Sequence, residues 1–213
     1  MRVALLFVVS MAGFPAQVVI DRIAVIVGKS VIKLSDIERN LRLTEFLNRE
    51  PLNVSVQDRR PAAERLIDQQ LIRNEIATGG YTRASDADAE GLLKRLEQDH
   101  YAGSATRLDA ALERYGLTEN ELRREFLWQL TVLGFIRQRF QPGVDITDQQ
   151  VETYYNQHLA ELKREYPREN TLAALTPQIR DLLTGQEVNK EFDDWLAQAR
   201  KRTQIEYRQG AFQ

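Results

Sequence analysis

No cysteine occurs anywhere in the sequence. Disulfide staples and thiolate metal sites are excluded, so any fold must be held by its apolar core. A chain of 213 residues is long enough to build one. Histidine is nearly as scarce: His100 and His158 stand alone, with no second histidine at the spacing of a zinc site. A glycine-rich phosphate loop is also missing. Gly79-Gly80 follows a periodic apolar stretch and lacks the Lys and Ser/Thr that cradle a nucleotide. No nucleophile-elbow motif appears, although a Ser-His-Asp assembly from distant positions is not excluded. Asp193-Asp194 and Glu119/Glu121 are too close in sequence to face each other on a helix, which leaves them solvated or capping roles. These absences point to no catalytic residues, no metal and no cofactor.

Charge of one sign is lacking as well. There are 29 Lys and Arg against 31 Asp and Glu, a net charge of −2. That gives no electrostatic case for nucleic acid or anionic lipid. Arg123-Arg124 and Arg200-Lys201-Arg202 are local runs, and the second sits near a predicted helix C-terminus, where cations are favourable. No apolar run reaches the roughly 20 residues that span a bilayer. The run Val3–Val9 follows Met1-Arg2 and precedes a small-residue segment, the layout of a secretory signal peptide over 1–16. Cleavage after Ala12 or after Ala16 are both open. Loss of Arg2 takes the mature chain one unit further negative.

What is present begins at Val18. Residues 19–27 are rich in β-branched side chains and read as a strand. Gly28-Lys29 suits a two-residue type II′ turn, and 31–34 form the return strand. Ser35-Asp36-Ile37-Glu38 reads as a capping box in which Ser35 and Glu38 cap each other. A lone hairpin is marginal in water. The other strand-like stretch, 203–207, lies at the far end of the chain, and the expectation is that it closes onto the first hairpin.

Between these ends the pattern is helical. Apolar residues at three- and four-residue spacing predict helices at about 36–47, 60–78, 86–99, 106–115, 119–140, 148–165 and 172–200. Pro61 is placed in the first turn of the second helix, and Ser85 caps the third. Thr118–Glu121 and Thr147–Gln150 form capping boxes. The fold class is therefore mainly α: a helical bundle with a small β-sheet made by an amino-terminal hairpin and a carboxy-terminal strand. Residues 17–213 are expected to form a single domain, with the last helix packed among the first ones.

The helix at 119–140 is the most informative for function. Leu122, Phe126, Leu130 and Leu133 make one stripe; Trp128, Val132 and Phe135 make a second, nearly opposite. A helix apolar on two faces is either buried on both or presents one to something else. Burial in the bundle is one reading. The other makes Trp128, Val132 and Phe135 a peptide-binding face in an apolar groove. Trp195 reads as a core anchor.

Residues 18–27 followed by 31–37 resemble the start of mature SurA-type periplasmic chaperones. The order of short helix, Gly-Leu-Thr turn and long helix at 106–140 resembles their amino-terminal domain. Thr147-Asp148 leading to Tyr154-Tyr155 and His158 resembles the segment that precedes the prolyl isomerase domain in SurA, PrsA and related parvulin-linked chaperones. Ile179–Leu183 and Phe192–Leu196 resemble the helix that follows it. Only residues 167–171 separate these segments, with no room for a parvulin fold. The resemblance implies an ATP-independent periplasmic chaperone, and the missing isomerase domain points to a non-enzymatic one. Its partners would be unfolded or nascent exported proteins, including outer-membrane proteins, and not nucleic acid. A prolyl isomerase, an adaptor with one dedicated partner and a cytoplasmic DNA binder are the rivals. Exposed edges on the small sheet leave homo-oligomerisation by strand exchange open.

Overall fold

In β1 (Ile23–Val27), Ala24, Val25 and Val27 are completely buried, and this strand forms the centre of a three-stranded antiparallel sheet. The computed structural model describes residues 21–168 and 170–213. The candidate leader at 1–16 and the opening of the first predicted strand at 19–20 lie outside the described residues. β1 pairs on one side with β2 (Ser30–Lys33) and on the other with β3 (Ile205–Tyr207). Gly28 makes the hairpin turn at φ +59°, a conformation that costs an L side chain but not glycine. Its N–H donates to the Gln204 carbonyl at 2.8 Å, and the Arg208 N–H donates to the Ala24 carbonyl at 2.8 Å. The last strand thus closes onto the first hairpin, as its composition predicted.

Among the described residues, eight α-helices join the two ends: α1 (Leu34–Asn48), α2 (Val56–Gly79), α3 (Asp86–Tyr101), α4 (Ala105–Arg114), α5 (Glu119–Phe140), α6 (Asp148–Gln157), α7 (Leu159–Glu165) and α8 (Leu172–Arg202). Apolar stripes group them into four cores. The sheet, α1 and α2 share the first, around Ile37, Leu41 and Ile67. The end of α1 meets α3, α4 and the start of α5 in the second, around Phe46, Leu93, Leu112 and Leu122. The end of α2, the end of α5 and the middle of α8 form the third. The fourth joins α6, α7 and the start of α8 around Val151, Leu162, Leu175 and Ile179.

Several local predictions are met. The Thr118 hydroxyl accepts from the Glu121 N–H at 3.3 Å, and the Glu121 carboxylate accepts from the Thr118 N–H at 2.9 Å. Thr147 and Gln150 do the same, and Ser85 caps α3. Four details differ. The capping box at Ser35 does not form, because Ser35 instead donates its hydroxyl to Asp21 at 2.5 Å. The helix starts two residues earlier, behind Lys33, and Asp36 accepts from the Lys33 N–H at 3.0 Å. α2 begins at Val56 behind a Ser55 cap, so Pro61 falls in its second turn. The helix expected at 148–165 is two, since His158 leaves the helical region at φ −110°, ψ 15° and stacks its ring on Tyr154. Leu133, on the first apolar stripe of α5 with Leu122 and Phe126, is 57% exposed, because no neighbouring element among the described residues covers that end of the stripe.

A charge network fastens the end of α8 to α2. Arg200 donates to Asp68 at 2.5 Å, to the Glu64 carboxylate at 2.9 Å and to the Glu64 carbonyl at 3.0 Å. Tyr207 of β3 donates its hydroxyl to Glu64 at 2.7 Å, and Arg60 donates its Nε–H to the same carboxylate at 3.0 Å while stacking on the Tyr207 ring. Burial pushes the Glu64 carboxyl up, but the hydrogen bonds from Arg200, Tyr207 and Arg60 outweigh it and leave its pKa below the ordinary 4.5. The Ser35 hydroxyl lowers Asp21, and the Ser85 hydroxyl lowers Asp88. A depressed carboxyl contributes stability above its unfolded pKa and loses it as pH falls through the folded value. The urea midpoint is therefore expected to hold steady from neutral pH to about 5 and to fall as pH drops below about 4.5, with Glu64→Gln flattening part of the fall. A midpoint that rises on acidification contradicts this.

Candidate functional site

α1, α2 and α5 are joined in pairs by three separate cores. Ile37 and Leu41 of α1 meet Ile67 of α2 in the first, while Leu43 and Phe46 of α1 meet Leu122 and Phe126 of α5 in the second. Ile72 and Ile76 of α2 meet Phe135 of α5 in the third. Each core satisfies a different stretch of helix, so the faces that all three turn towards one another enclose an open groove of about 920 Å³. That volume lies within the usual range of ligand clefts. β2 contributes Val31 and Ile32, α1 contributes Arg39 and Asn40, and α2 contributes Gln69, Gln70, Arg73 and Asn74. The segment between α2 and α3 adds Arg83, and α5 adds Glu121, Arg124, Glu125 and Trp128.

The lining is mixed rather than apolar, which corrects the expectation of an apolar groove. Leucine, isoleucine and tryptophan sit among arginines, acids and amides. The physical reason lies in the cores: the strongest apolar positions of each helix are spent holding the helices together. Arg73 stacks its guanidinium 3.9 Å from the centre of the Trp128 ring. Its side chain is exposed to the groove yet ringed by the groove walls, and this desolvation lowers its pKa, with Glu125 opposing. Asn40 is buried, and its side-chain oxygen accepts from Arg65 at 3.3 and 3.1 Å. Thr131 is buried in the wall, donating to the Leu127 carbonyl at 2.7 Å and accepting from the Ala84 N–H at 3.2 Å.

Of the three residues that sequence assigned to a binding face, only Trp128 lines the groove. Val132 is half-buried against the third core. Phe135 is completely buried there, edge-on to Tyr81 at 4.9 Å, Trp195 at 5.5 Å and Phe140 at 5.8 Å. Trp195 belongs to the same aromatic cluster, as its reading as a core anchor implied. The groove arginines were missed. A signal for them exists in the polar positions Gln69, Gln70, Arg73 and Asn74, which recur at helical spacing beside the buried stripe of α2.

Among the described residues, no group of three or more acids or histidines converges on a metal-sized site. No helix among them is long and apolar enough to cross a membrane.

No family model matches the chain. The foldase protein PrsA of two strains of Clostridium kluyveri is 27% identical to it over 111 residues. The match covers 51% of this chain and 32% of PrsA, so it spans about a third of that relative's length. This partial match supports a relationship to PrsA/SurA-like chaperones and no more.

Proposed function

We propose that the protein is an ATP-independent, non-catalytic chaperone that holds unfolded segments of exported proteins in the groove between α1, α2 and α5. The observation that carries this reading is the groove itself: about 920 Å³, open to solvent, with an aromatic platform at Trp128. Reversible burial of client side chains against such a wall lowers the concentration of free unfolded chain, which slows its aggregation. A mixed lining suits weak contact with many sequences better than tight contact with one. The relationship to PrsA supports the foldase-type role. The signal-like layout of residues 1–16 supports export to the periplasm, where nascent outer-membrane and secreted proteins are the clients.

The test follows light scattering of a chemically denatured outer-membrane porin and of an unrelated soluble protein on dilution, with the chain from Gln17 and no nucleotide. Suppression of both at near-stoichiometric ratios is expected, weakened by Trp128→Ser at unchanged helicity. No suppression of either, from a folded and monodisperse sample, overturns the reading in favour of an adaptor with one dedicated partner. A proline-peptide isomerase assay is expected to stay at background; a rate above it overturns the non-catalytic assignment.

A further inference from the structure

We infer that the groove selects polypeptide segments in which carboxylates are spread among apolar side chains. The inference rests on the groove being the polypeptide site and names what that site prefers.

The charges lining the groove do not cancel. The chain is net negative at −2, yet the groove is lined by four arginines and three acids. Two of those acids are already engaged. Asp36 accepts from the Lys33 N–H at 3.0 Å and pairs with Arg39 at 3.3 Å. Glu121 accepts from the Thr118 N–H at 2.9 Å and pairs with Arg39 at 3.0 Å. Arg39 is thus occupied by both. The third acid, Glu125, accepts from the Gln129 amide at 2.9 Å. The side chains of Arg73, Arg83 and Arg124 make no direct ion pair or hydrogen bond among the described residues, although Glu125 acts on Arg73 and Glu121 on Arg124 at longer range.

The geometry of these cations favours carboxylates over other anions. Stacking on Trp128 occupies the face of Arg73 and leaves its N–H edge, the edge that takes a carboxylate bidentately. The groove walls already weaken the charged form of Arg73, and an incoming anion relieves that cost. The three arginines come from three separate segments: α2, the α2–α3 connection and α5. An extended chain with spaced acids suits cations carried on separate segments of one groove. A polyanion such as nucleic acid is disfavoured by the three acids in the same lining. Between the charges, Trp128, Leu127 and Val31 offer apolar surface for the side chains that separate the carboxylates.

The probe is a short fluorescein-labelled peptide with aspartates set among leucine, phenylalanine, serine and glycine, compared by anisotropy with a twin carrying lysines in place of the aspartates. Exposed pairs are individually weak, so three together are expected to give the aspartate peptide an advantage of about tenfold at low salt, shrinking as salt screens them. The combined Arg73→Gln and Arg124→Gln variant is expected to abolish the difference. Arg137→Gln, an exposed α5 position outside the groove, is expected to keep it. Circular dichroism checks that each variant is folded. Equal binding of the two peptides, or a preference that survives the double variant, overturns charge selection and leaves polypeptide binding standing. Failure of both peptides to bind, while the wild-type chain still suppresses aggregation, overturns the groove as the site.

Discussion

Phe135→Ala is expected to lower the free energy of unfolding by about 3–5 kcal/mol, the largest loss from any single substitution considered for this chain. The ring is completely buried and is the largest fully buried side chain in the molecule's described residues. Its neighbours are Tyr81, Phe140 and Trp195, each held edge-on and each with further partners of its own. Such neighbours cannot collapse into the space without breaking other contacts, so both the lost transfer energy and the cavity remain. Urea unfolding followed by far-ultraviolet circular dichroism measures the loss. Trp128→Ser, two turns earlier on the same helix, is expected to cost clearly less, since Trp128 lies on the groove wall and is only half-buried. A change below about 1 kcal/mol in Phe135→Ala would mean that the third core is not packed as described.

Ending the chain after Arg202 is expected to remove much of its stability, by about 3–5 kcal/mol out of the 5–15 typical of folded domains. The deleted residues are few, but they close the first core. Ile205, Tyr207, Ala211 and Phe212 pack against it, and Ala211 is almost completely buried. The Ala24 carbonyl and the Gly28 N–H lose their partners Arg208 and Gln204. Glu64 loses the Tyr207 hydroxyl, and β1 becomes an open edge that carries the apolar Val25 and Val27. Thermal unfolding and size-exclusion chromatography are expected to show a lower midpoint and self-association. A truncated chain that stays monomeric with an unchanged midpoint contradicts the role of β3 as the closing strand.

How far the sequence reveals this molecule depends on how local each determinant is. The caps at Ser85, Thr118 and Thr147 involve residues three apart, and they form as read. The closing strand was legible because 203–207 is the one alternating stretch outside the hairpin, and a hairpin needs a third strand. Ser35 failed because its competitor, Asp21, is fourteen positions away and unknown to a local rule. The contrast between Trp128 and Phe135 is instructive in the same way. Seven residues apart, they share one helical face and are equivalent in any periodic pattern. What separates them is Trp195 of α8, a segment far along the chain that packs against Phe135 and leaves the face of Trp128 to Arg73. The groove itself followed the same logic: its position is set by where three cores end, and its arginines carry no motif.

Unfolded clients are proposed to occupy the space between α1, α2 and α5. A photo-crosslinking side chain placed at Gln70, in the groove, and separately at Leu182, 44% exposed on α8 and outside it, tests this most directly. Each protein is irradiated with a denatured porin, and the adducts are mapped by mass spectrometry. Strong client adducts at Gln70 with little at Leu182 are the predicted result. Equal labelling at both positions, or labelling at Leu182 alone, would contradict the claim.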